Sequence, residues 1–223
     1  MGGELQLNQP ADKADGDVGI DFIDILFALV VGQALVVLTR ALKIPAPGLA
    51  HLAFATILTV TSWIGYHRSG HRYTGQITFD VRKASNLIPL AKFTLDILLV
   101  VLYWVAVQST EWGFSSKGQS PSWRWTTIIA ASVFGIYVLW DLLAWRGEGS
   151  NRGAWANSRR IVSVVFFIIT LIVLVVAALW APRGNPGVTA INVTLILVTI
   201  AYRVAKDTFT AGTPATAGSP PDP

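Results

Sequence analysis

The chain has 223 residues, 52% of them hydrophobic and only 13% charged, with a mean hydropathy of +0.53 and a formal net charge of +4. A soluble domain carries about twice that charged fraction, roughly 25%, so a water-soluble globular fold is excluded. The chain has no cysteine, which excludes disulfides and thiolate metal sites.

Residues 1–19 are rich in Gly and Asp and carry a single Lys, the reverse of the basic start of a signal peptide. They are expected to form an acidic cytoplasmic segment. Six apolar runs follow: Ile20–Leu42, Pro47–Tyr66, Ala84–Val107, Thr126–Trp145, Ile161–Ala181 and Val188–Ala205. About 20 residues at 1.5 Å each cross a hydrocarbon core of about 30 Å. In lipid such runs must be helices, because backbone groups find no water and have to bond within the segment. The fold expected is an all-α bundle of six transmembrane helices over 20–206. The closing stretch, AGTPATAGSPPDP, has the composition of a disordered tail, expected over 207–223.

Charge placement sets the orientation. With these spans, eleven Lys and Arg fall on the side of the amino terminus and five on the other, leaving Lys92 inside a span. The excess of Lys and Arg marks the cytoplasmic side, so both termini and the loops after the second and fourth spans belong in the cytoplasm. The basic loops are then orienting devices, and no nucleic-acid partner is implied. Trp104, Trp112, Trp123, Trp125 and Trp180 fall near one set of span ends, and Trp63, Trp140, Trp145 and Trp155 near the other. Both sets suit belts at headgroup level.

Polar groups inside the spans carry the functional information, since each is expensive there unless paired or wetted. In the first span Leu29, Gly32, Gln33 and Val36 share a helical face by their spacing. That face could line a pore with a polar ring at Gln33. It could equally be a packing surface, with Gly32 admitting a neighbouring helix and Gln33 bonding across the contact. In the third span Lys92 and Asp96 stand four apart and can pair with each other, as an ion relay or as a self-satisfied pair. His51 is the only other ionisable group expected near their depth. Asp141, ending the fourth span in LWDLLAW, is expected to meet a basic loop in a structural role.

The three histidines lie between positions 51 and 71, and SWIGYHRSGHRY closes the second span. His67 and His71 have helical metal-site spacing, but with His51 at the opposite end of the span, no Cys and no nearby carboxylate except Asp80, no ligand set is completed. No catalytic triad and no phosphate-binding Gly motif is present. The chain reads as a protein with no enzymatic activity, metal or cofactor. An inward amino terminus places Trp63 and His67 at the depth of Asp24, with Asn86 opening the third span at the same level. Asp24 can accept from any of the three, which would clamp the first helix against the second and third, with Arg68 among the headgroups.

These residues resemble the first spans of the transmembrane protein 175 family of bacterial and endolysosomal potassium channels. That family opens with FSDGVFAIAITLLV; this chain reads FIDILFALVVGQALVV from Phe22. Phe22, Asp24, Phe27 and Ala28 match, and Leu29 falls on the family's first hydrophobic pore position. The family closes its second span with W-x-x-H-H-R, matched by Trp63, His67 and Arg68, and opens its third with Asn, as Asn86 does. Ile23 and Ile25 replace the family's Ser and Gly, Tyr66 its first His, Val18 its Arg, and Gly32 and Gln33 its Thr and Leu. The resemblance implies a homotetramer of single six-helix subunits in a bacterial plasma membrane, with the first helix lining a central pore. It implies a monovalent cation, potassium, as the permeant species and a ring of Leu29 as a hydrophobic gate. The alternatives are a proton-coupled secondary transporter using Lys92, Asp96 and His51, and a non-conducting membrane scaffold or sensor.

Overall fold

The computed structural model describes residues 14–40, 46–70, 87–115, 122–147, 153–180 and 184–211. Within them it forms six α-helices and no strand: α1 Ala14–Arg40, α2 Ala46–Gly70, α3 Leu87–Ser115, α4 Trp123–Gly147, α5 Gly153–Trp180 and α6 Asn185–Ala211. Each contains a segment of 19 to 25 residues long and apolar enough to cross a membrane. The protein is an all-α integral membrane bundle, as its composition requires.

The helices overrun the apolar stretches because a backbone ladder can continue into water where hydropathy has already fallen. α1 begins at Ala14, within the expected 1–19 segment, and α6 runs to Ala211, into the expected tail. α6 also starts three residues before the apolar run. Gly184 has φ +88°, a conformation glycine adopts freely, and Pro186 falls in the first turn of α6. There its missing N–H leaves no bond unmade. Ser122 precedes α4, its carbonyl accepting from the Trp125 amide at 3.0 Å, so the helix starts three residues before the expected Thr126.

The helices form a ring in which α1 packs on α2 and α3, α2 on α6, α6 on α5, α5 on α4 and α4 on α3, with α2 also meeting α3 across the middle. α1 and α5 are therefore the peripheral helices. Phe54, Leu58, Tyr103, Phe134 and Leu195 are fully enclosed at the centre. Threonines occur throughout this apolar interior without orphaned hydroxyls where they bond back one turn, as Thr56, Thr59, Thr170 and Thr199 do at 2.8 Å to the carbonyl four residues earlier.

His51 is a structural group. Its ring is wholly buried, with Nε2 at 2.9 Å from the Ala106 carbonyl and 2.8 Å from Ser109 Oγ, and Nδ1 at 2.9 Å from Thr126 Oγ1. A neutral ring protonated on Nε2 donates to the carbonyl and accepts from Thr126, tying α2 to α3 and α4. These partners lie at the opposite end of α3 from Lys92 and Asp96, so the expectation that His51 shares their depth is corrected.

Candidate functional site

The first cluster fixes α1. Trp63 and His67 stand one turn apart on α2 and so present to the same side. The Trp63 indole Nε1–H donates to Asp24 Oδ1 at 3.1 Å, and His67 Nε2 lies 3.0 Å from the same oxygen, an ion pair when the ring is protonated. The two rings meet edge to face, centroids 4.9 Å apart. The structure thus brings together Asp24, Trp63 and His67. Phe22 is exposed, its ring 6.3 Å from that of Phe93 of α3. Asn86 and the Arg68 side chain lie outside the described residues.

The other end of α1 is held along its seam with α3. Gln33 Nε2 donates to Gln108 Oε1 at 3.0 Å, Gln108 donates to Glu111 Oε2 at 3.1 Å, and Arg40 pairs with Glu111 at 2.7 Å. The Arg40 side chain is 69% exposed, so that pair contributes little, about 0–1 kcal/mol. Hydrogen bonds to a charged group are worth more, about 1.5–3 kcal/mol, and Asp24, with 31% of its side chain exposed, is the stronger anchor. Gln108 and Glu111 were not singled out from the sequence. Their i, i+3 spacing facing Gln33 and Arg40 was the available signal, hidden because Glu111 sits at a span end.

Between its anchors α1 turns a continuous face away from the rest of the bundle. Ile25, Leu29, Leu35 and Val36 are 59%, 62%, 58% and 45% exposed. Gly32 lies at the middle of this face, and a Cβ built there would meet nothing within 4 Å. Gln33 bonds across the contact of α1 with α3, as the packing reading expects, and so does not join the outward stripe of Leu29, Gly32 and Val36. Among the described residues nothing lies within 4 Å of a Cβ built at Gly32, so the neighbouring helix which that reading expects at Gly32 is not found there.

The second cluster is a polar core between α2 and α6. The hydroxyls of Ser62, Tyr103 and Tyr137 bond to one another, Ser62 to Tyr103 at 2.6 Å and Tyr103 to Tyr137 at 2.8 Å, with Ser62–Tyr137 closing the ring. The Tyr137 and Tyr202 rings stack 5.3 Å apart and 7° from parallel. Beyond Tyr202 lies a buried ion pair. Lys206 Nζ donates to Asp141 Oδ2 at 3.0 Å, to Tyr202 OH at 2.7 Å and to Ser163 Oγ at 3.3 Å, and Ser163 itself donates to Asp141 at 2.5 Å. Asp141 therefore meets α6 inside the bundle and not a basic loop. Lys206, one residue past the last apolar run, counts in the sequence only among the cations of the amino-terminal side.

Lys92 and Asp96 come together with a third partner. The Lys92 ammonium lies 5.3 Å from the centre of the Trp140 ring, within cation–π range, and the Asp96 carboxylate has the Trp140 indole and Lys92 as neighbours. Trp140, expected at a headgroup belt, is half-buried against these groups. Asp96, Trp140, the three tyrosines and Lys206 share a cavity of about 90 Å³.

Family models, curated proteins and solved structures contain no match to this chain.

Proposed function

We propose that the protein is a cation channel, potassium being the expected ion, assembled as a homotetramer with α1 of each subunit facing the central axis. Both termini would lie in the cytoplasm of a bacterial cell, on the side of the Lys and Arg excess. The observation that carries this reading is α1 itself: a peripheral helix pinned at Asp24 by Trp63 and His67, with an apolar outward face centred on a glycine that nothing in the subunit requires. Small residues on membrane helices let other helices approach closely, and the free candidate for that approach is α1 of another copy. Leu29, next to Gly32 on the face, would form the narrow apolar collar. Water leaves such a collar, and a bare ion then meets a barrier. Gln33, bonded within the subunit, would contribute its aliphatic stem and not an open polar ring.

Gly32→Leu tests the assembly. Nothing lies within 4 Å of the new Cβ, and Leu exceeds Gly in helix propensity by about 0.8–1 kcal/mol, so the subunit should melt no lower than wild type. Native mass spectrometry should give the wild type at four times the 24.1 kDa chain and the variant as smaller species. A variant with unchanged mass would mean that α1 faces lipid.

The polar core supports a second reading, a proton-coupled carrier, because Asp96 and Lys206 border one cavity. Replacing Lys92 by Met and Asp96 by Leu together separates the two. Ion flux into proteoliposomes should persist within a factor of about 3, less than 1 kcal/mol, if conduction runs along α1. Loss of flux from a well-folded double variant would favour the carrier.

A further inference from the structure

The cavity in the polar core is walled largely by aromatic and aliphatic groups, with charges at four points: Asp96 from α3, Arg159 from α5, and Arg203 and Lys206 from α6. Asp96 has Trp140 and Lys92 beside it, and in the Ser62–Tyr103–Tyr137 ring each hydroxyl can donate once and accept once. Lys206 directs its protons to Asp141, Ser163 and Tyr202.

Arg203 differs. Its Nη2 pairs with Asp207 one turn on, at 3.0 Å, while its Nε is buried with no partner among the described residues. Its Nη1 lies on the bare backbone of Gly65, where a Cβ would overlap that nitrogen. The second helix leaves out a side chain at position 65, and a guanidinium occupies the space. Guanidinium offers five donors and no acceptor, so what Arg203 brings to the wall is donors and positive charge. A ligand must bring acceptors and negative charge, and in apolar surroundings that pairing is strong.

We propose that this cavity binds one phosphate-type oxyanion, gripped by Arg203, with Arg159 and Lys206 adding to the positive field. A single water needs about 10–15 Å³ of such space; about 90 Å³ admits a tetrahedral oxyanion. The group can arrive as free phosphate or as the headgroup of an anionic phospholipid, the kind of ligand that basic pockets between membrane helices take. The site is independent of whether α1 conducts.

The experiment uses the full chain in phosphatidylcholine nanodiscs, melted with and without inorganic phosphate, chloride at equal ionic strength being the control. A parallel set of nanodiscs contains phosphatidylglycerol. Wild type should gain about 5 °C in Tm on one arm at roughly a hundredfold excess over Kd. A gain with inorganic phosphate in phosphatidylcholine identifies the free ion; a gain confined to phosphatidylglycerol identifies the headgroup. Arg203→Gln should abolish the gain, and Gly65→Ala, which displaces Arg203 and leaves its charge, should do the same. Should Arg203→Gln fail to fold, Gly65→Ala and ³¹P NMR line broadening on wild type decide. No gain on either arm and no broadening overturns the proposal, as does an equal gain in wild type and a folded variant.

Discussion

Lys206→Met is expected to lower the melting temperature of the purified protein by about 10 °C, the largest loss from any single substitution in the bundle. The side chains of Lys206 and Asp141 are 11% and 5% exposed, and their charges meet at 3.0 Å. Burying a charge is costly, and the pair is tolerable because each ion answers the other and Ser163 and Tyr202 fill the remaining valences. Without Lys206 the Asp141 carboxylate stays buried with one hydroxyl partner from Ser163. Breaking a buried pair in this way costs about 3–5 kcal/mol, and a domain of this size loses about 2–4 °C per kcal/mol. Asp141→Leu should be comparably harmful, because it strands the ammonium. The double variant Asp141→Leu/Lys206→Met should recover most of the loss, since the desolvation cost disappears with the charges. Thermal melts of the two singles and the double, read as a double-mutant cycle, check this. A double variant as unstable as the sum of the singles would show that each residue matters for its own packing and not for the pair.

That pair also marks where the sequence stopped being readable. The six spans were legible because about 20 consecutive apolar residues have few other uses. Asp24, Trp63 and His67 could be placed at one level because an up-and-down arrangement of spans fixes relative depth. Depth does not fix rotation. Lys206 follows the last apolar run, so the sequence placed it only by its side of the membrane; the way α6 packs along α2 and α5 turns it toward Asp141. Gln33 shares a nominal stripe with Leu29 by spacing, yet α3 presents Gln108 just off that stripe and captures the amide. Trp140 had the position of a belt residue, and its inward turn depends on Lys92 and Asp96 of α3. Each miss concerns which neighbour a helix face meets, which periodicity within one helix leaves undetermined. Gly65 is the instructive glycine: in a helix it reads as a weak point, and its reason is an arginine 138 positions later in the chain.

Leu29→Ala is the substitution on which conduction turns. With the side chain 62% exposed and directed away from its own subunit, truncation should cost the subunit little, about 0.5 kcal/mol or less, far from the 2–5 kcal/mol of a buried leucine. An effect on flux would therefore not be an effect on folding. In the proposed collar of four leucines, removing three carbons from each would widen the passage and let water re-enter. Each 1.4 kcal/mol taken from the ion's barrier raises its rate about tenfold. Resting potassium flux into proteoliposomes, followed with an ion-sensitive dye, should rise at least tenfold, and Leu29→Phe should lower it. Leu197 on α6 supplies a matched control, since it too is 62% exposed but lies on a helix not assigned to the axis. Leu197→Ala should leave flux at the wild-type level. If Leu29→Ala and Leu197→Ala behave alike, with flux unchanged in both, the exposed face of α1 is a lipid contact like that of α6. The Asp24 clamp would then orient a helix that conducts nothing.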